Sequence, residues 1–67
     1  MENNIFGINL RYLRKAHKMT QKELATYMHV NTVTICHWEK GQQEPCLDDI
    51  RRLAKFFNVT CDFLLGM

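Results

Sequence analysis

A chain of 67 residues makes one domain and leaves little room for a catalytic pocket of the usual ~300–1,000 Å³ beside a hydrophobic core. Apolar residues at 46% exclude a disordered tail, and with one proline and three glycines only Pro45 interrupts a helix, so an all-α domain is expected. The net charge of +2 is unevenly spread: residues 1–30 carry five Lys and Arg against two Glu, and residues 31–67 carry four against five acids, which suits a face turned to a polyanion as well as it suits ordinary solubilisation.

Hydrophobic spacing is helical nearly throughout. Phe6, Leu10 and Leu13 form one stripe of a first helix predicted over 4–17, with Arg11, Arg14 and Lys15 opposite. Thr20-x-x-Glu23 has the form of a capping box and opens a second helix over 20–28, with Leu24, Ala25 and Met28 inward. After a turn at His29-Val30, Asn31 is the expected N-cap of a third helix over 32–40, with Ile35 and Trp38 inward and Gly41 as its stop. The loop 41–46 leads to a fourth helix over 47–57. Asp48 and Asp49 suit the dipole of its first turn, and Leu47, Ile50, Leu53, Ala54 and Phe57 make its stripe. Asn58 ends it, and Thr60 caps a fifth helix over 61–65 with Phe63 and Leu64 inward.

The stretch from Thr20 to Gly41 places two short helices about a tight turn, which is the geometry of a helix-turn-helix, and the small Ala25 falls where they cross. On the second of them Thr32, Thr34, Cys36, His37 and Lys40 mostly point away from the Ile35/Trp38 stripe, offering short polar groups of a kind that fits base edges in a major groove.

Met19-Thr20-Gln21-Lys22-Glu23-Leu24-Ala25, Val30 through Gly41, Pro45 and Leu47, Leu53-Ala54-Lys55, Phe57-Asn58-Val59 and Leu64-Leu65-Gly66 together resemble the Cro/C1-type (Xre) helix-turn-helix family of transcriptional regulators, in one register from about Phe6 to Gly66. The resemblance implies a five-helix, lambda-repressor-like domain over 1–67 that binds double-stranded DNA as a transcriptional regulator and represses by occlusion. The base-facing positions it implies are Thr32, Val33, Cys36 and His37. The phosphate-facing ones are Gln21, Asn31, Thr34, Lys40, Gln42, Gln43 and Arg11. Arg14 paired with Glu39 would brace the recognition helix. A pseudo-palindromic operator is expected, read by a homodimer formed through the C-terminal helix, where Phe56, Leu65 and Met67 exceed what a small core hides. The alternative is a protein-interaction module, such as an antitoxin holding a toxin. Lys18, His29 and Asn58 stand where the family often has Gly, so left-handed backbone there would cost Lys18 and His29 ~1 kcal/mol each. Cys46 replaces a usual Ser at the fourth helix's cap, and Arg51 a usual apolar residue.

No nucleophile–base arrangement, Gly-rich phosphate loop or H-E-x-x-H is present, so no enzyme activity, cofactor or small-molecule substrate is expected. Cys36, Cys46 and Cys61 form no C-x-x-C pair, and with His17, His29 and His37 they lack the ligand spacing of a structural zinc site. No basic start precedes an apolar run, and no stretch approaches ~18 apolar residues, so the expectation is a cytoplasmic protein with reduced thiols and no membrane partner.

Overall fold

The computed structural model describes residues 4–67; the first three, among them the Glu2 of the charge balance and the start of the expected 1–67 domain, lie outside the described residues. The described residues form α1 (Ile5–Ala16), α2 (Gln21–Met28), α3 (Thr32–Lys40), α4 (Leu47–Phe57) and α5 (Cys61–Leu65), with no strand among them. The helix predicted over 4–17 is trimmed at both ends: Asn4 is left-handed (φ 49°) and His17 is the C-cap. Thr20 stands just outside α2, where its hydroxyl accepts from the Glu23 amide (3.0 Å) and the Glu23 carboxylate accepts from the Thr20 amide (2.8 Å). Those two bonds satisfy donors that a helix start leaves open. Thr60 caps α5 in the same way, accepting from the Phe63 amide at 2.9 Å.

Each of the five helices ends on one device. A left-handed residue follows the helix, and the next amide reaches back five residues to a last-turn carbonyl: Met19 to Arg14, Val30 to Ala25, Gln42 to His37, Val59 to Ala54 and Met67 to Asp62, at 2.9–3.0 Å. Gly41 and Gly66 supply the left-handed residue twice; Lys18, His29 and Asn58 supply it elsewhere with φ of 56°, 58° and 57°.

The core is built from Phe6, Leu10 and Leu13 of α1, Leu24, Ala25 and Met28 of α2, Ile35 and Trp38 of α3, Ile50, Leu53, Ala54 and Phe57 of α4 and Leu64 of α5. α1 packs on both α3 and α5, α2 crosses α3 and α4 meets α5. Asn9 of α1 donates to the carbonyls of Phe63 (2.9 Å) and Leu64 (3.3 Å), closing the end of α5, and at Gly66 a Cβ would run into the Ile5 side chain. Arg52 of α4 donates to the last carbonyl of α2, at Met28.

Four packing expectations are corrected. Leu47 is 59% exposed, because the first residue of α4 leads the stripe by a turn and its Cβ tilts out of the bundle toward the N-terminal end. Phe63 is 43% exposed, because a helix of five residues sends only Leu64 fully inward. Phe56 and Leu65 are half-buried against the core, not surplus to it. The ring of Phe56 lies 4.3 Å from that of Tyr27 and 4.9 Å from that of Phe57, and among the three apolar residues expected at a dimer contact only Met67 is largely exposed.

Candidate nucleic-acid interface

α3 has one face locked into the protein and one open. Ile35, Trp38 and Glu39 are buried. Val33, Cys36, His37 and Lys40 recur at the i, i+3, i+4, i+7 spacing of the opposite face. Val33 is 61% exposed, Lys40 is exposed, and Cys36 and His37 are half-buried along the strip. Thr32 begins the helix exposed, whereas Thr34 sits on the flank, half-buried. The structure therefore gathers Thr32, Val33, Cys36, His37 and Lys40 on one surface and sets Thr34 to its side.

Asn31 holds the N-cap position, but its side chain makes no capping bond. The Thr34 amide that it would have bound is already taken by the Asn31 main-chain carbonyl at 2.9 Å. The expected side-chain cap is thus replaced by a main-chain one, and the exposed Asn31 amide remains at the rim of α3.

Behind α3 lies a charged cluster. The Arg14 guanidinium grips Glu39 with both arms of its fork, Nε to Oε2 at 2.6 Å and Nη2 to Oε1 at 3.1 Å. Its Nη1 donates to the Met19 carbonyl in the α1–α2 turn at 2.8 Å, and Gln21 Nε2 donates to Glu39 Oε1 at 3.1 Å. The side chains of Arg14 and Glu39 are 10% and 4% exposed. One carboxylate on α3 therefore ties α1 to the first residue of α2, and the same guanidinium holds the turn between them, in the bidentate geometry that makes Arg–carboxylate pairs both strong and directional. Gln21, expected at a phosphate, faces Glu39 with one N–H and keeps a second hydrogen on the same nitrogen. Arg11 is exposed one turn before Arg14, and Gln42 and Gln43 are exposed just past Gly41.

Two contacts at the far end of α3 were not anticipated. Asn4 Nδ2 donates to the Glu39 carbonyl at 3.0 Å, and Gly7 of α1 lies against the Trp38 and Glu39 carbonyls so closely that a Cβ would sit 2.5 and 2.6 Å from them. A lone glycine in an otherwise strong helical pattern was the available signal for the second. Among the described residues no group of three or more His, Cys, Asp and Glu is placed to hold a metal ion, and the three cysteines are unpaired.

The description of one protein family, Helix-turn-helix, matches residues 10–64, taking in α2, α3 and α4 whole. The chain belongs to the Cro/C1-type helix-turn-helix family. Within this helix-turn-helix family it is 37% identical over 61 residues to the HTH-type transcriptional activator BcrR of Enterococcus faecalis, covering 91% of this chain and 30% of that protein. It is 36% identical over 55 residues to the cryptic phage CTXphi transcriptional repressor RstR of Vibrio cholerae, covering 82% of this chain and 50% of that one. The chain thus spans half or less of the length of either regulator. The restriction-modification controller protein C.AhdI of Aeromonas hydrophila has the same fold, with a TM-score of 0.80 and 30% identity over 90% of this chain and 91% of that one.

Proposed function

We propose that this helix-turn-helix protein binds double-stranded DNA sequence-specifically and regulates transcription, seating α3 in the major groove. The observation that carries this reading is the pairing of a solvent-facing strip on α3, an apolar Val33 included, with a buried ion pair that locks the helix from behind. Val33 stands 61% exposed on that ridge, where its methyls can pack against a thymine methyl. Thr32 and His37 supply hydrogen-bonding groups for base edges, and Cys36 a small, weakly polar one. Asn31, Thr34, Lys40, Gln42, Gln43, Arg11 and the second N–H of Gln21 are assigned to phosphates, which fix register without reading sequence.

Repression by occlusion is the simplest outcome, since it needs only occupancy of a promoter. Two copies would read a pseudo-palindrome with half-sites about one DNA turn apart, meeting through the α5 end, where Phe63 and Met67 are exposed. No catalytic step, cofactor or small-molecule substrate is assigned, and no described helix is long and apolar enough to cross a membrane. The cytoplasm is the compartment this reading requires, because it holds DNA and keeps the three thiols reduced.

Selection from random duplexes followed by a salt titration tests the proposal. The logarithm of the affinity should fall linearly with log salt, with a slope of ~0.9 per neutralised phosphate. Thr32→Ala and His37→Ala should each weaken the selected duplex by ~1–3 kcal/mol and leave unrelated duplexes unaffected. Lys40→Ala should weaken all duplexes alike and reduce the salt slope by about one. Failure to select any sequence, or binding indifferent to salt, would move the chain to a protein-holding role such as that of an antitoxin.

A further inference from the structure

Glycine within a helix is less favourable than alanine, so Gly7, the third residue of α1, needs a reason to stand there. Left-handed backbone is not the reason, because Gly7 is not among the residues with positive φ. The reason is contact. A Cβ at Gly7 would meet the carbonyl oxygens of Trp38 and Glu39 at 2.5 and 2.6 Å, and also the Oδ1 of Asn4. The Asn4 side chain can swing aside, but the two carbonyls are backbone of α3 and cannot move unless the helix moves.

The carbonyls involved belong to the last turn of α3, the part of a helix that lacks partners of its own. Trp38 O accepts from the Gly41 amide at 3.3 Å, and Glu39 O accepts from Asn4 Nδ2 at 3.0 Å. Asn4 adopts φ 49° to reach it, and its side chain fills the place that a Cβ on Gly41 would need. Because Glu39 is also gripped through its carboxylate by Arg14, this one residue is held at its main chain by the N-cap of α1 and at its side chain from within α1, by two points that lie on either side of Gly7 in the sequence. Two separated attachments fix the angle of a rod, where one would leave it free to pivot.

We propose that Gly7 and Asn4 are positioning residues for base recognition: they seat the C-terminal turn of α3 directly on the backbone of α1 and so set the angle at which Thr32, Val33, Cys36 and His37 are presented. This inference rests on the DNA-binding reading. Side chains of the order of hydrogen-bond length tolerate little displacement, so a tilt of α3 costs sequence discrimination while leaving the phosphate attraction in place.

The test uses the full chain with Gly7→Ala, Asn4→Gly and the double variant, at a temperature where circular dichroism shows each to be folded. Two quantities are read: the orientation of α3 relative to α1 from amide residual dipolar couplings without DNA, and affinity for the selected duplex against an unrelated one. Gly7→Ala should reorient α3 and lose roughly 10-fold or more in affinity for the selected duplex, with affinity for the unrelated one held within about 2-fold. Asn4→Gly, which removes the donor without backbone strain, should do the same to a smaller degree. The double variant should not recover the parent's affinity, since the clash is with α3 backbone; recovery would overturn the proposal, and so would unaltered couplings and affinity in Gly7→Ala. If Gly7→Ala does not fold, Asn4→Gly decides by the same two readouts. If the parent itself prefers no duplex, the DNA-binding reading fails, and the couplings alone still decide whether these residues set the angle of α3.

Discussion

The Arg14–Glu39 pair shows which of two opposed effects governs a buried charge. Desolvating both ions costs several kcal/mol, and the two fork contacts, with further bonds to the Met19 carbonyl and from Gln21, offset that cost. Removing one partner leaves the other buried and unmatched. Arg14→Ala and Glu39→Ala should therefore each lower unfolding free energy by about 3–5 kcal/mol in urea titrations, while Arg14→Met with Glu39→Leu should lose far less than the sum. Additive losses would mean that the pair acts as two independent side chains. In the sequence this pairing was implied by family resemblance alone, as nothing in periodicity links residues 25 apart. The donations of Asn4 and Asn9 to carbonyls 35 and 54 residues away had no such cue, because an asparagine carries no mark of which distant helix end it will satisfy.

Helix limits were legible to within a residue or so, since capping chemistry and termination are local. Thr20 and Glu23 mark the start of α2 by themselves, and Gly41 the end of α3. Burial was less legible where it depends on what lies across from a residue: Leu47 and Phe63 belong to apolar patterns yet find no wall to pack on. The left-handed residues Lys18 and His29 were foreseen only as family glycine positions, but an independent signal accompanies them. Met19 and Val30, next in sequence, are apolar and pack against the core, as does Val59 after Asn58. That burial offsets the ~1 kcal/mol of backbone strain at Lys18 and at His29. Lys18→Gly and His29→Gly should accordingly raise stability by roughly 0.5–1 kcal/mol, and Asn58→Gly should change it little, since asparagine tolerates this backbone. Equal gains at all three sites, read from thermal midpoints, would mean that asparagine is strained there as much as lysine and histidine.

At the scale of the whole molecule, fold class followed from the helical period together with the spacing of turns, and those are properties a linear string displays. How α1 serves as the common wall for α3 and α5 is not displayed there, because it depends on faces of one helix being shared between partners far apart in sequence. The approach of Ile5 to Gly66 has its own consequence. Residues 5 and 66 lie side by side, so a short covalent bridge between these two positions would close nearly the whole described fold into a ring. Such a ring forbids the open chain most of its extended shapes, an advantage of order 4 kcal/mol for a circuit of this length. Its melting midpoint should climb well above that of the linear form in calorimetry; an unmoved midpoint would mean that the extremities part company before the helices do.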